Sequence, residues 1–341
     1  MTASTTSGRD AELEAARLLL AKLGVSPAEL LQPSAARPAT PTFREYLPVV
    51  RGAVGPGTAR AYSSYWNRIE QQWGDRRLDD VKPSDIGGLV EQVKANRVVR
   101  RNGRSGRGTA ENLIAALRCV YNHAVADGHL SKDDNPALKV AKPRRLPSTR
   151  GALADAKLAE LNAAAATSGN DPELDALLLR LHTETACRRG GALALRPVDL
   201  DEEQCLIRLH EKGETVRWQP VSPTLMQYLL QHARERGARP SDQLLRYRNG
   251  TSVTRRRYDH LFDRLGRLLP WVATQQVSIH WLRHTTLTWV ERNFGYAIAQ
   301  AYAGHTDGSG EAGTTARYVR AKLSEVAAAL AMLTGEPHPM Q

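Results

Sequence analysis

A basic, proline-punctuated segment at residues 135–150 divides this sequence into two helical regions and so limits the folds that it can adopt. The segment contains Pro136, Pro143 and Pro147, with lysines and arginines between them. Proline fixes φ and has no backbone N–H, so prolines at this spacing favour an extended linker over a helix or a central strand. A chain of 341 residues is also long for one ordinary domain. The sequence therefore predicts two domains joined by a basic linker.

The first region carries three helical patterns. Apolar residues recur at helical spacing after Thr58, Ser84 and Thr109, and each of these polar residues can cap a helix N-terminus. The aromatic side chains between Tyr62 and Trp73 are interpreted as core, because a stripe at this spacing normally faces a core. A short helix at residues 11–23 and a proline-rich stretch precede this region. The predicted segments are residues 1–40 (appendage), 41–137 (helical domain), 138–150 (linker) and 151–341 (second domain with a C-terminal helix).

The second region combines helices with one predicted hairpin. After a helix at residues 153–166, Cys205, Ile207 and Leu209 alternate with polar residues before a turn at Lys212 and Gly213, and a second strand follows to Val221. The remainder is helical in pattern to about residue 333. The predicted fold class is therefore mainly α with a small antiparallel β-sheet.

The charge of the chain predicts a polyanionic partner. The formal net charge is +11 and the pI is about 9.8, which favours nucleic acid as the partner, although a basic protein without such a partner is the alternative. Residues 94–108 are rich in arginine and glycine and contain no acidic residue. We expect this loop and the linker to contact phosphates, the alternative being a solvated surface. The predicted contact residues are Lys94, Arg97, Arg100, Arg101, Arg104, Arg107, Lys142, Arg144 and Arg145.

Other features exclude several classes of protein. The three cysteines are scattered and form no Cys-x-x-Cys pair, which argues against a disulfide framework and against a cysteine-based zinc site. No apolar run approaches the roughly 20 residues of a membrane span, and residues 1–10 are too polar for a signal peptide. We expect a soluble cytoplasmic protein with no membrane partner.

Four features of the second region carry reactive side chains. Arg188 and Arg189 lie beside a glycine pair at a helix start. Lys212 lies at the hairpin tip, in a chain that has only nine lysines among 47 basic residues. Lysine can give up a proton when its pKa is lowered, whereas guanidinium effectively cannot. Taken alone, however, an exposed lysine at a turn is expected by chance. A third feature is the pair His305 and Tyr318, which a glycine-rich stretch separates.

The remaining feature is His-Trp-Leu-Arg-His at residues 280–284. A spacing of three residues places His280 and Arg283 on one helix face, within reach of a common anion. His280 and His284 also have zinc-ligand spacing, but Trp281 stands where a metalloprotease needs glutamate. The pattern therefore favours an anion site over a metal site, and no metal is expected.

In chain order these residues resemble the catalytic signature of the tyrosine recombinase (phage integrase) family. The likeness extends from about residue 42 to about residue 333. Arg188 matches the first family arginine and Lys212 the hairpin lysine. The other matches are His280 and Arg283 for the His-x-x-Arg box, His305 for the histidine of the Leu-Gly-His box, and Tyr318 for the nucleophile.

The resemblance implies strand cleavage through a 3′-phosphotyrosine. Two arginines can clamp the non-bridging oxygens of a phosphodiester as negative charge develops there. Lys212 would protonate the leaving 5′ oxygen, His280 would exchange the tyrosine proton, and His305 would donate to the scissile phosphate. The covalent intermediate stores the bond energy, so neither ATP nor a metal or other cofactor is expected.

The family resemblance also implies an assembly. The helical domain and the catalytic domain would form a C-shaped clamp around double-stranded DNA. Four protomers would act on two DNA sites through a Holliday junction, in the cytoplasm and associated with the nucleoid, with an accessory DNA-bending or excisionase protein as an additional partner. The C-terminal helix would dock on a neighbouring protomer or pack on its own domain.

Two departures from the family pattern stand out. The family commonly has an acidic residue three positions after the first arginine, where this chain has Gly191. Residues 306–313 resemble a small insertion before Tyr318. The favoured role is integrase of a phage or mobile element. The alternatives are a Xer-like chromosome or plasmid resolvase, a catalytically weak DNA-binding regulator, and an enzyme that relaxes DNA as type IB topoisomerases do.

Overall fold

The computed structural model describes residues 6–23, 40–96, 106–143, 151–211, 215–304 and 322–341. These residues form two compact units, Met1–Leu146 and Pro147–Gln341. The boundary between the units, at Leu146 and Pro147, falls inside the segment predicted as a linker. The exact limits of the four predicted segments stay a prediction. No helix in the described part of the chain is long and apolar enough to cross a membrane.

The regular elements of the first unit, among its described residues, are all helices. Its helices are α1 (Thr6–Leu23), α2 (Phe43–Ala53), α3 (Pro56–Trp73), α4 (Pro83–Ala95) and α5 (Arg107–Ala126). The apolar faces of α2 to α5 meet in one core, in which the predicted aromatic stripe of α3 contributes Trp66 and Trp73. The buried indole N–H of Trp66 donates to the carbonyl of Ala116 at 3.1 Å, so α3 is held against α5 without an unpaired polar atom.

The three predicted helix caps in this unit are wrong. Helix α3 begins at Pro56 after Gly55, and α4 begins at Pro83 after Lys82. Proline at the first helical position sets a helical φ and needs no N–H partner, so both helices start before Thr58 and Ser84 can cap them. Helix α5 begins after Gly106, whose φ of 79° is left-handed, and not at Thr109.

A cap that the sequence patterns did not indicate lies at the start of α2. The Thr42 hydroxyl accepts from the backbone N–H of Glu45 at 3.3 Å, and the Glu45 carboxylate accepts from the N–H of Thr42 at 2.8 Å. This reciprocal pair is a capping box, which satisfies two backbone donors that a helix N-terminus otherwise leaves open.

The second unit surrounds a small sheet with helices. Its elements are α6 (Asp155–Ala166), α7 (Pro172–Thr185), α8 (Arg189–Ala194), β1 (Leu200–Asp201), β2 (Leu206–His210), β3 (Val216–Pro220), α9 (Pro223–Glu235), α10 (Arg255–Leu268), α11 (Pro270–Gln275), α12 (Ile279–Phe294), α13 (Tyr296–Ala303) and α14 (Leu323–Thr334). The mainly helical fold with a small antiparallel sheet is the predicted fold class, and it is confirmed.

The sheet has the order β1-β2-β3 and is antiparallel at both pairings within the described residues. Leu206 pairs with Pro220 at one end of the hairpin and His210 pairs with Val216 at the other. Ile207 and Leu209 point into the core, as the alternation predicted, whereas Cys205 precedes the strand with a φ of 50°. The hairpin thus brings the chain immediately before Lys212 next to the start of α8.

Helix α14 packs on its own unit. Val326 and Leu330 are buried in a cluster with Tyr302 of α13 and Val290 of α12. The segment after the helix is also anchored, because Glu336 accepts from Arg180 at 2.7 Å and from the N–H of Thr224 at 3.1 Å. Packing on its own unit is one of the two arrangements expected for the C-terminal helix, and docking on a neighbouring protomer stays a prediction.

Candidate active site

Arg188 lies at the junction between α7 and α8. Helix α7 ends at Thr185 and is followed by Ala186, whose φ of 49° is left-handed, and Arg188 is the residue that precedes the first turn of α8. The side chain of Arg188 is 37% exposed and its Nη1 donates to the carboxylate of Glu211. The guanidinium is therefore held from one side and open to solvent on another.

Arg283 lies in the first turns of α12 and is buried. One guanidinium nitrogen donates to the carbonyl of Ala186, and the other donates to the carbonyl of Ala303 at 2.8 Å. Burial, together with the nearby positive charge of Arg188, lowers the pKa of Arg283 to about 10. The group is still charged at neutral pH, so it contributes positive charge to this region while it joins the ends of α7 and α13.

His280 stands on the same helix, one turn before His284. The two imidazole rings meet edge to face with their centroids 4.8 Å apart. His280 is exposed, whereas Arg283 is buried. Among the residues that the structure describes, no group of three or more His, Cys, Asp or Glu side chains could hold a metal ion.

Glu211 is a buried carboxylate that the sequence patterns did not single out. Its side chain has no exposed surface. Oε1 accepts from the backbone N–H of Arg188 at 3.1 Å, and Oε2 accepts from the guanidinium of the same residue. Two features of the sequence could have indicated this role of Glu211. The acidic residue common in the family is missing at Gly191, and a glutamate stands immediately before Lys212.

Arg217, on β3, is a third guanidinium close to these groups. Its Nη2 lies 3.9 Å from Oε1 of Glu211 and 3.4 Å from the carbonyl of Thr185. Its Nε is buried and has no hydrogen-bond partner among the described residues. Burial lowers the pKa of Arg217. The side chain lies against Gly304, where a Cβ would collide with Cδ and Nε of Arg217, and Gly304 also has a left-handed φ of 64°. Glycine is therefore required immediately before His305.

A buried histidine, His182, contacts the residue before Arg188 and ties α7 to α10. Nδ1 of His182 donates to the carbonyl of Cys187 at 3.0 Å, which leaves Nε2 to accept from the Tyr258 hydroxyl at 3.1 Å. Burial lowers the pKa of His182 to about 4 and raises that of the Cys187 thiol to about 11. The histidine is therefore neutral at physiological pH, and it fixes the backbone that leads into Arg188.

Three of the predicted catalytic residues, Lys212, His305 and Tyr318, lie outside the described residues. Their chain neighbours Glu211 and Gly304 are described, and both lie against Arg188 or Arg217. Of the predicted phosphate contacts, Lys94 lies in the last turn of α4 and pairs with Glu91 at 2.6 Å, while Arg107 and Lys142 are exposed. The remaining predicted contacts lie outside the described residues, namely Arg97, Arg100, Arg101, Arg104, Arg144 and Arg145.

The arrangement can bind an anion. Arg188, Arg217 and Arg283 bring three positive charges together, and Glu211 supplies one negative charge. The side chains of Arg217 and Arg283 are largely buried, and that of Arg188 is partly exposed. This excess of positive charge favours binding of a phosphate or carboxylate at the exposed side of Arg188.

Comparison with known proteins identifies the family. The model of the phage integrase family matches residues 152–325, about half of the chain. The chain belongs to the phage integrase family. This family member is therefore a tyrosine recombinase, an enzyme of the class that cleaves and rejoins DNA.

Sequence relatives of this tyrosine recombinase carry Xer names. It is 26% identical to tyrosine recombinase XerC of Chlamydia caviae over 242 residues, which are 70% of this chain and 72% of the relative. It is 23% identical to tyrosine recombinase XerD of Lacticaseibacillus casei over 273 residues, which are 78% of this chain and 89% of the relative.

Solved structures with the same fold include two integrases. A lambda integrase tetramer bound to a Holliday junction matches with a TM-score of 0.61 and 15% identity over 91% of this chain and 86% of that chain. The Tn1549 transposon integrase in complex with a circular intermediate DNA matches with a TM-score of 0.61 and 20% identity over 86% of this chain and 99% of that chain. These likenesses show the tyrosine recombinase fold.

Proposed function

We propose that this tyrosine recombinase is a site-specific enzyme whose nucleophile is Tyr318 and whose active site contains Arg188, Lys212, His280, Arg283 and His305. One observation carries the proposal. Arg283 donates to Ala186 and Ala303, two residues before Arg188 and His305, and Arg188 donates to Glu211, the residue before Lys212. Direct hydrogen bonds thus connect the chain around four of the six signature positions.

In the proposed reaction, the Tyr318 hydroxyl oxygen attacks the scissile phosphorus and loses its proton to His280. The bond from phosphorus to the 5′ oxygen breaks, and Lys212 gives that oxygen a proton. Arg188 and Arg283 neutralise the charge that develops on the non-bridging oxygens, and His305 donates to the same phosphate. Attack by a 5′ hydroxyl of a second strand then reverses the chemistry and frees Tyr318. The number of phosphoester bonds is conserved, so no ATP enters the reaction.

The proposed substrate is double-stranded DNA, whose phosphates the basic loop at residues 94–108 and the linker would contact. We propose that four copies of the chain act on two DNA sites, within the cytoplasm and its nucleoid. The net charge of +11 and the exposed basic residues Arg107 and Lys142 support contact with phosphates.

The test is capture of the covalent intermediate. A duplex nicked close to the cleavage site loses a short fragment after cleavage, so the protein remains attached. The wild-type chain should form an adduct, and Tyr318→Phe should form none while it binds DNA with unchanged affinity, because only one hydroxyl is removed. An undiminished adduct in the variant would refute the nucleophile. DNA binding without any wild-type adduct would make the chain a regulator, and adducts on every sequence would make it a relaxing enzyme.

The proposed cellular role is integrase of a phage or mobile element. The second candidate is a Xer-like resolvase, which the names of the XerC and XerD relatives favour. Sequencing of the DNA attached to the protein in cells separates the two roles. Adducts at both ends of a DNA element that carries the gene support integration, whereas adducts at one chromosomal site without such an element support resolution.

A further inference from the structure

The family pattern commonly has a carboxylate at the position of Gly191, and in this chain the side chain of Glu211 occupies the space beside that glycine. A Cβ at Gly191 would lie 3.3 Å from Cγ and 3.5 Å from Oε1 of Glu211. Gly191 is itself buried. A side chain at residue 191 and the present side chain of Glu211 would therefore compete for one site, even though 20 residues separate them in the sequence.

Glu211 accepts the backbone hydrogen bond that an acidic residue at position 191 would accept in a capping box. Residue 191 is the third residue of α8, and Arg188 is the residue that caps this helix. In a capping box, the carboxylate of the third residue accepts from the backbone N–H of the capping residue. Here that N–H, of Arg188, donates to Oε1 of Glu211 at 3.1 Å, so the acceptor comes from the end of β2.

The second oxygen of Glu211 holds the side chain of the same residue. Oε2 accepts from Nη1 of Arg188, and Nη2 of Arg217 lies 3.9 Å from Oε1. A fully buried carboxylate is strongly destabilising unless it is paired and hydrogen-bonded, and this one has both kinds of partner. Both oxygens are engaged, so Glu211 is not available as an acid or base toward substrate.

We infer that Glu211 replaces the carboxylate absent at residue 191 and is the positioning residue that orients Arg188 toward the scissile phosphate. The carboxylate has moved from the helix to the hairpin, and Gly191 is the residue that leaves room for it. Because Glu211 directly precedes Lys212, the same contact ties the hairpin that carries the proposed proton donor to the proposed phosphate clamp. The inference about the reaction rests on the proposed function.

The test moves the carboxylate back to the helix. Glu211→Gln keeps the shape of the side chain and an acceptor for the Arg188 N–H but removes the charge, and Glu211→Ala removes both. Single-turnover adduct formation on the nicked duplex should fall roughly 100-fold in each variant, the loss expected when a clamping group is misplaced by about 1 Å. In the double variant Gly191→Glu/Glu211→Ala, the rate should return to within about tenfold of wild type, since the capping box forms within α8.

A matched control separates positioning from general stability. Asp175 is another fully buried carboxylate of this unit, and it pairs with Arg257 at 2.7 Å. Asp175→Asn should lower Tm but leave adduct formation within about threefold of wild type at a temperature where the variant is folded. Wild-type rates in Glu211→Gln, or a double variant as slow as Glu211→Ala, would overturn the inference.

A second measurement does not depend on activity. In a thermodynamic cycle of Arg188→Ala and Glu211→Gln, the decrease of Tm in the double variant should be smaller than the sum of the two single decreases, because each change removes the same interaction. Additive decreases would overturn the contact between these residues. If the wild-type chain forms no adduct on any substrate, the proposed function fails, and this cycle still decides whether Glu211 holds Arg188.

Discussion

Replacement of Arg283 by lysine provides a sharp test of the arrangement at the centre of the catalytic unit. Arg283 is 4% exposed, and its two terminal nitrogens donate to two different carbonyls, those of Ala186 and Ala303. Lysine keeps the positive charge but presents one ammonium group in place of a planar fork. It cannot reproduce both hydrogen bonds with the same geometry, so one buried carbonyl is left without its donor.

The loss of stability in Arg283→Lys can be calculated from the one carbonyl that loses its donor. A buried acceptor left without a partner costs about 1–3 kcal/mol. For a unit the size of Pro147–Gln341, each kcal/mol corresponds to a shift in Tm of about 2–4 °C. With a central cost of about 2 kcal/mol, Arg283→Lys should lower Tm by roughly 4–8 °C.

The assay is differential scanning calorimetry of the full chain, with Arg292→Lys as the matched control. Arg292 lies on the same helix and is exposed, so its replacement should change the free energy of unfolding by no more than about 0.5 kcal/mol. Equal Tm values for the two variants would refute the idea that the guanidinium of Arg283 holds the ends of α7 and α13 together.

Three further outcomes are expected. Lys212→Arg should abolish cleavage of an ordinary duplex but cleave a 5′-bridging phosphorothiolate, whose leaving group needs no proton, and failure of that substrate would reduce Lys212 to a phosphate anchor. A second variant neutralises four loop arginines together, namely Arg100, Arg101, Arg104 and Arg107. It should bind all sequences more weakly, and the slope of log K against log salt should flatten by roughly 0.9 for each phosphate that is no longer neutralised. An unchanged slope with reduced discrimination between sites would instead show that the loop reads bases. Burial lowers the pKa of His182 to about 4, so below the unfolded pKa of about 6.5 the unfolded chain binds a proton that the folded chain does not. Stability should therefore fall as pH falls from about 6.5 toward 4, by about 2 kcal/mol from this group at pH 5, and urea unfolding that gives equal free energies at pH 7 and pH 5 would contradict the assignment.

The sequence alone determined the family, the fold class and the chemistry to be tested. Helices and the hairpin were visible because apolar residues repeat with the period of the structure they form, as Ile207 and Leu209 do on β2. The order of arginine, lysine, His-x-x-Arg, Gly-His and tyrosine was informative because phosphoryl transfer needs these side-chain types. Helix starts were less predictable, since Pro56 and Pro83 initiated α3 and α4 before the hydroxyl residues could cap them.

Only the tertiary structure decided how these groups are supported. The pairing of Glu211 with Arg188 joins residues that are far apart in the sequence, and no local pattern of charge or period encodes it. The same holds for Arg217, which lies against Gly304, and for α14, whose apolar face packs against Val290 and Tyr302 of the same unit. Local periodicity specifies which face of an element is apolar, but the partner of that face, or of a buried charge, is set by the packing of the whole unit.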